Sequence, residues 1–308
     1  MSDFIPKYIE LINWVKEKIK AGEFRPGDKL YSENQLSEMF SMSRQTVRHA
    51  ISKLEQEGLV ERVQGSGTYI GGKEKLNRTR TKTRNIAIIT PYLDQYIFPN
   101  IIKDMEKVIS EAGYFTQIAF TYNTLERESV VIKKFLENDV VDGMIIEPTK
   151  SALPNPNIHL YKELIERGIP LLFINSFYPG LDVPHVVMDD MMAGYLAVNH
   201  LIEAGHTKIA GIFKLDDMQG HLRYTGYLKG MLNAGLNLHD EYIIWYDSED
   251  RWRFEDNEKR ILNRISDCTA CVCYNDDVAV LLIDILKRNG IQVPEQFSIV
   301  GIDNSDLA

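Results

Sequence analysis

Arg44, Gln45 and Arg48 fall together at the start of a short helical segment whose opposite side is Val47, Ile51 and Leu54. Apolar residues at that spacing turn one face inward and leave the polar side chains outward. A guanidinium presents two parallel donors that match guanine O6 and N7, and side chains at the front of a recognition helix reach base edges in the major groove. The chemistry is that of reading DNA, and it needs elements that hold the segment from behind. Tyr8, Ile9, Leu11, Ile12, Val15 and Ile19 recur at helical spacing, so residues 6–21 form an amphipathic helix that Gly22 stops. Ser32 with Gln35 three positions on is a capping box for a second helix, which turns Leu36, Met39 and Phe40 inward. Ser43 caps the third helix and Gly58 ends it. Leu59 to Val63 and Thr68 to Ile70 then form a hairpin around Gly65-Ser66-Gly67, whose tip allows close approach of backbone to phosphate or minor groove. Three helices and a hairpin in this order read as a winged helix-turn-helix over residues 1–72. Two other readings compete: a dinucleotide loop in GSGTYIGG, although that run opens no helix, and a protein-binding module with surface arginines.

A second set of chemistry-bearing residues recurs after residue 85. Apolar, β-rich runs alternate with helical segments, with strands expected at 85–90, 115–121, 143–148, 171–175, 208–214, 242–246, 270–275 and 298–302 and helices such as 100–112, 126–138 and 193–204. The pattern is α/β, with buried parallel strands in doubly wound sheets. Such sheets bind ligands at the carboxyl ends of their strands. Those ends carry carboxylates, amides and aromatics: Thr90-Pro91-Tyr92, Glu147-Pro148-Thr149, Asn175-Ser176, Asp189-Asp190, Lys214 to Asp217, Asp247, Tyr274 to Asp277, and Asp303. Carboxylates and amides bond adjacent sugar hydroxyls, and aromatic faces cover the C–H side. A nucleobase asks for similar groups, so only the ligand class follows. Asp190, Asp276 and Asp277 also stand where a helix cap would, and Arg223 lies in a helix, where surface ion pairing is the plain alternative.

The formal net charge of −9 is unevenly spread. Residues 1–72 hold ten Lys/Arg and ten Asp/Glu, residues 73–84 hold six Lys/Arg and one Glu, and the rest carries −14. The basic stretch 73–84, KEKLNRTRTKTR, lacks apolar periodicity and reads as a flexible linker, either solvated or in passing contact with phosphates. No apolar run spans a bilayer and no apolar signal segment opens the chain, so a cytoplasmic setting without a membrane partner is expected. Cys268, Cys271 and Cys273 lack the second pair of ligands that a zinc site normally needs and read as buried free thiols, Cys271 and Cys273 within the strand-like run 269–274; no metal is expected. No nucleophile–base pair stands out, which argues against an enzyme.

The run RPGDKLYSENQLSEMFSMSRQTVRHAISKLEQEGLVERVQGSGTYI (residues 25–70) resembles the DNA-binding domain of the GntR repressor family. The resemblance implies that Glu33, Arg44, Gln45, Thr46 and Arg48 face DNA, with Gln64, Gly65 and Gly67 in the wing. The runs VVMDDMMAGYLAVNHLIEAGHTKIAGIF, HLRYTGYLKG and CYNDDVAVLLIDILKRNGIQVPEQFSIVGIDNSDLA resemble the sensor domain of the LacI/GalR repressors and the periplasmic sugar-binding proteins. That implies a two-lobed, periplasmic-binding-protein-like sensor over residues 85–308. It also implies sugar contacts from Arg223, Asn275 and Asp303, and a loop, Tyr92 to Phe98, that closes over the ligand. Glu147, Thr149, Asp189 and Gln219 complete the candidate effector set.

A GntR-type reader joined to a LacI-type sensor resembles the arabinose-operon repressor family of Gram-positive bacteria. DQYIFPNII, DGMIIEPTKSAL, NPNI and GIFKLDDMQG carry the likeness through the centre. The resemblance implies L-arabinose or a related monosaccharide as effector, no cofactor, and a homodimer on palindromic double-stranded DNA. It implies too that the sensor continues beyond Ala308. The competing functional reading is a soluble sugar-binding or sugar-processing protein with an incidental helical module.

Overall fold

The computed structural model describes residues 7–25, 27–63, 66–71, 82–92, 96–138 and 140–308, and they divide into two units that meet at residues 81 and 82. In the first, α1 (Lys7–Lys20), α2 (Glu33–Met39) and α3 (Arg44–Gln56) precede the antiparallel pair β1 (Val60–Val63) and β2 (Gly67–Ile70). The Ser32 cap on α2 is made in both directions: Ser32 Oγ accepts the Gln35 N–H at 3.3 Å and the Ser32 N–H donates to Gln35 Oε1 at 2.9 Å. Ser43 Oγ accepts the Thr46 N–H and fixes the start of α3. Gly58 follows α3 at φ 71°, a conformation that lets the chain turn directly into β1. Leu11, Val15, Leu36, Val47, Ile51 and Leu54 form the core behind these helices, each fully buried. Burial of a leucine or isoleucine side chain contributes about 1.5–3 kcal/mol, so this core holds the reading helix from its inner side. Gln64 and Gly65, expected in the wing, lie outside the described residues, as do 73–81 of the expected linker.

The second unit has two parallel sheets. The first runs β4-β3-β5-β6-β7 and contains β3 (Asn85–Thr90), β4 (Phe115–Phe120), β5 (Gly143–Ile146), β6 (Leu171–Ile174) and β7 (His185–Val186). Its helices are α4 (Phe98–Glu111), α5 (Leu125–Asn138) and α6 (Ile158–Glu166). The second sheet runs β11-β10-β8-β9, with β8 (Ile209–Lys214), β9 (Ile243–Tyr246), β10 (Ala270–Cys273) and β11 (Ser298–Val300). It packs with α7 (Asp190–Glu203), α8 (Met218–Asn233), α9 (Glu258–Ile265) and α10 (Asp276–Arg288). Alternation along single strands shows both faces covered. Ala87 and Ile89 join one core cluster and Ile88 another; Cys271 and Cys273 face one side of β10, Ala270 and Val272 the other. The three thiols are free and buried in that packing.

Three differences from the sequence reading have local causes. β7 is two exposed residues at a sheet edge, too short to leave a pattern. Most strands end one or two residues earlier than expected: Glu147 and Asn175 still donate their backbone N–H groups to Ile89 and Val186 of the neighbouring strands, at 2.8 and 3.0 Å, but their side chains line the cleft and the ladder goes no further. The end of the expected linker is held: Thr83 and Arg84 donate their N–H groups to the Asp142 carboxylate at 2.8 and 3.0 Å.

Candidate functional site

The candidate reading surface of the first unit is α3 and what braces it. Arg44 and Gln45 are exposed on its first turn. Thr46 is half-buried, and its hydroxyl lies 2.8 Å from Ser43 Oγ, so it belongs to the cap as well as to the surface. Arg48 is exposed, and its Nε donates to Glu33 Oε2 at 2.7 Å. Glu33 thus neutralises its own charge on a face expected to meet phosphate, and aims the guanidinium from α2. Gly67 has φ 128°, a conformation that favours glycine, and the end of the Lys29 side chain lies beside it. Two cations not singled out in the sequence join this surface: Lys29, and Arg62 of β1, which donates to the Arg48 carbonyl at 3.4 Å.

In the second unit the strand ends converge on a cavity of about 310 Å³. Seven of the nine candidate effector residues line it: Tyr92, Phe98, Glu147, Gln219, Arg223, Asn275 and Asp303. Thr149 and Asp189 do not. Thr149 is fully buried behind the wall, with its hydroxyl 3.0 Å from that of Thr121. Asp189 is exposed and caps α7 by accepting the Met192 N–H at 2.9 Å. Its neighbour Asp190 faces inward, so the sequence reading of the pair is reversed: the first aspartate caps and the second lines the site.

Arg223 is the hub. Its Nε donates to Asp190 Oδ1 at 2.8 Å, one terminal nitrogen to Asp303 Oδ1 at 2.9 Å, and the other to the Tyr274 carbonyl, with the guanidinium 4.7 Å from the Tyr274 ring centre. Burial opposes its charge, but Tyr274, Asp303 and Asp190 more than offset this and raise its pKa. Burial also raises the pKa of Asp190, against the pull of Arg223. The position depends on close helix packing. A Cβ on Gly194 would lie 2.0 Å from the Arg223 carbonyl oxygen, and one on Gly226 2.0 Å from that of Met191, so α7 and α8 meet backbone to backbone. Three of the five guanidinium N–H groups are thereby used, and two remain for a ligand.

Glu147 lies at the opposite wall. Thr90 Oγ1 donates to it at 2.7 Å and Asn175 Nδ2 at 3.3 Å, yet burial dominates and pushes its pKa up to about 7. Asn275 spends its carbonyl oxygen capping α10 through the Val278 N–H, which leaves its NH₂ group for the cavity. Lys214 donates to Asp217 at 2.7 Å; burial disfavours its charge, but Asp217 and Asp216 outweigh that and its pKa is raised. Tyr96, within the loop expected to close, donates to Asp303 Oδ2 at 2.9 Å from the first lobe to the second. Asp303 itself sits at φ 100°, a strained setting for a side-chain-bearing residue that Arg223 and Tyr96 hold between them. On two residues of the lining, Ser176 Oγ and Gln219 Oε1 are themselves buried without a hydrogen-bond partner among the described residues. From the sequence, Ser176 had no role beyond its place at a strand end, and Tyr96 none beyond its place in a loop.

Among the described residues no helix is long and apolar enough to cross a membrane, and no group of His, Cys, Asp or Glu could hold a metal ion. Residues 7–70 match the family of bacterial regulatory proteins of the gntR type, and residues 198–308 the periplasmic binding protein-like domain. Among solved structures, the chain is similar in fold to a transcriptional regulator CelR–cellobiose complex, with a TM-score of 0.65 at 23% identity over 86% of this chain and 75% of that one. The transcription regulator CcpA of Lactococcus lactis gives 0.62 at 25% identity over 72% and 79%. Similarity over nearly the whole chain is found to two curated proteins, both called arabinose metabolism transcriptional repressor. That of Halalkalibacterium halodurans is 40% identical over 98% of this chain and 81% of its own length; that of Geobacillus stearothermophilus is 37% identical over 99% and 84%. With a gntR-type reader and a periplasmic-binding-protein-like sensor in one chain, the protein belongs to the family of arabinose metabolism transcriptional repressors.

Proposed function

We propose that the chain represses transcription as a homodimer on operator DNA in the cytoplasm and that L-arabinose, bound in the sensor cavity, releases it. The observation that carries the effector assignment is the lining itself: the carboxyl groups of Glu147, Asp190 and Asp303, the amides of Asn175 and Asn275 and the rings of Tyr92, Phe98 and Tyr274 border one cavity. Carboxylates and amides supply the acceptors and donors that adjacent neutral hydroxyl groups need, and aromatic faces cover the C–H side of a sugar ring. Both cations of the wall are already matched, Lys214 with Asp217 and Arg223 with Asp190 and Asp303, so nothing there favours a phosphorylated sugar. A cavity of about 310 Å³ is at the small end of ligand pockets, about 300–1,000 Å³, which suits a monosaccharide.

Release follows from linkage. Tyr96–Asp303, Asn123–Ser248 and Ser151–Met218 are hydrogen bonds from one lobe to the other. A sugar that bonds both walls stabilises this closed setting, and if DNA prefers another setting the two ligands oppose each other by about 1–3 kcal/mol. Isothermal titration against L-arabinose, other pentoses and a pentose phosphate, with a gel-shift on operator DNA with and without sugar, tests the proposal. L-arabinose should bind most tightly and lift the chain from DNA; tighter binding of the phosphate, or release by none of the sugars, would overturn it.

A further inference from the structure

The first lobe of the sensor buries a carboxylate that does not line the cavity. Glu128 of α5 is 0% exposed. Its Oε1 accepts the hydroxyls of Tyr161 and Tyr178 at 2.7 and 2.6 Å, and its Oε2 the NH₂ groups of Asn155 and Asn157, both at 2.8 Å. All four donors are neutral. A carboxylate is costly to take out of water unless such bonds are made, and three of these four lead to one stretch of chain.

That stretch is residues 147–157. Asn155 and Asn157 belong to it, and Tyr178 grips it further back, where its hydroxyl oxygen accepts the Thr149 N–H at 2.8 Å. Burial raises the Tyr178 pKa, so the phenol keeps its proton and donates it to Glu128 while accepting from Thr149. At the head of the stretch Glu147 faces the cavity. One residue beyond Thr149, Lys150 takes φ 46°, a setting that a non-glycine residue holds only when its surroundings enforce it. Its N–H donates to Asn123 Oδ1 at 3.0 Å, and the Asn123 NH₂ group reaches Ser248 of the second lobe at 2.6 Å. Ser151 lines the cavity and accepts the Met218 N–H at the start of α8 at 2.9 Å.

We propose that Glu128 and Tyr178 are positioning residues for effector recognition: through the Thr149 amide they fix the strap 147–151, which presents Glu147 to the ligand and ties the first lobe to the second. The inference rests on the reading of the cavity as the effector site, and it makes a residue pair outside the cavity a determinant of sugar affinity.

The direct test is Tyr178→Phe in the full chain. The ring keeps its neighbours Tyr161 and Phe173, with centroids 5.3 and 5.6 Å away, while the hydroxyl that joins Glu128 to Thr149 is lost. Affinity for L-arabinose should fall about tenfold, since a buried amide and a buried carboxylate each lose a bond. Glu128→Gln should lose less, because its amide still offers one acceptor oxygen. A merely structural role would not produce coupling: combined with Ser151→Ala, the loss of sugar affinity should be smaller than the product of the single losses, since both changes break one tie, whereas the losses in melting temperature should add. Hydrogen exchange without sugar should show lost protection at the amides of 149, 150 and 218, with β3 and β5 unchanged. Independent losses of affinity, or an exchange pattern that is unaltered or rises evenly through the lobe, would overturn the proposal. If Tyr178→Phe does not fold, Glu128→Gln answers the same questions. If the parent chain takes up no L-arabinose, the effector reading falls on its own, and the sugar-free exchange still decides whether the strap is held in this way.

Discussion

In the winged unit Arg44 and Gln45 stand exposed on a helix whose inner face is a separate core, and in the sensor Arg223 is 4% exposed and holds three protein partners. On the proposed function, the two regions solve recognition differently. A duplex offers an extended surface that side chains can reach from a rigid platform, so the reading residues cost the fold little and can change singly. A small neutral ligand must be surrounded, which brings charges out of water, and buried charges persist only when paired. The cleft residues therefore hold each other before they hold anything else, and their substitution is a structural event as well as a functional one.

The largest effect expected from this contrast is Arg223→Ala. It leaves the buried carboxylates of Asp190 and Asp303 without their cation, and removal of one partner from a buried pair destabilises by about 3–5 kcal/mol. Thermal melting should show the sensor transition falling steeply while that of the winged unit stays, and sugar should no longer release DNA. A sensor melting point within a degree of the parent's would break the comparison. Arg44→Ala should leave both transitions alone and cost about 1–3 kcal/mol in operator binding, with relaxed preference at one base pair. Arg48→Ala should cost more than the lost contact alone, because Glu33 is then left unpaired on the DNA face. Glu33→Gln in that background should restore part of the affinity, and competition binding on operator variants measures all three. The exposed Arg48–Glu33 pair should matter little to folding, since such pairs contribute about 0–1 kcal/mol.

The same contrast explains what could be read from the sequence. The helices of the winged unit were legible one by one, because they follow from apolar periodicity, caps such as Ser32 and Ser43, and a short local path along the chain. The sheets of the sensor were legible too, since strands buried on both faces leave continuous apolar runs. The cleft was legible only in kind. Whether Asp189 or Asp190 turns inward depends on where α7 begins, and one residue's difference sends the other aspartate to solvent. Thr149 looked like a wall residue because it follows Glu147, but the turn at Lys150 puts it behind the wall. Glu128 gave no signal at all: a glutamate in the first turn of an amphipathic helix looks like a surface residue until α6 and Tyr178 close over it.

Tyr96→Phe sharpens the comparison from the side of motion. The hydroxyl joins the loop after β3 to Asp303, and burial together with Asp303 raises its pKa, so it stays a donor. A hydrogen bond to a charged group contributes about 1.5–3 kcal/mol at most, less where the partner keeps other donors, and Asp303 keeps Arg223. The variant should fold like the parent, bind sugar a few-fold more weakly, and show the change in the dissociation rate. Stopped-flow release of L-arabinose measures this; an unchanged dissociation rate would show that the loop does not latch the cleft.

The smallest effect at neutral pH, and the one most particular to a buried site, belongs to Glu147→Gln. Burial raises the carboxyl from an ordinary 4.5 to about 7, so the folded chain holds this proton over a range where the unfolded chain has lost it. Stability depends on pH through the difference in bound protons between the two states. Between about pH 4.5 and 7 the folded state binds more, so this group's contribution falls as pH rises through that window and is lowest above it. Glutamine can take the place of the protonated acid and has no such dependence. At pH 5.5 the parent and the variant should melt close together, and by pH 8 the variant should melt higher, since it is spared the buried charge. Sugar affinity should move the other way. A hydroxyl donated to the ionised carboxylate gains strength as the pH passes 7, so the parent should bind L-arabinose more tightly at pH 8 than at pH 6, while the variant binds more weakly than the parent at pH 8 with a flat profile. Titrations at both values, set beside melting curves in the same buffers, check the two slopes together. If the variant kept the parent's pH dependence in both, the group that titrates would be another carboxylate of the cleft, and Glu147 would be a wall residue that accepts its bonds from Thr90 and Asn175 without meeting the ligand as a charge.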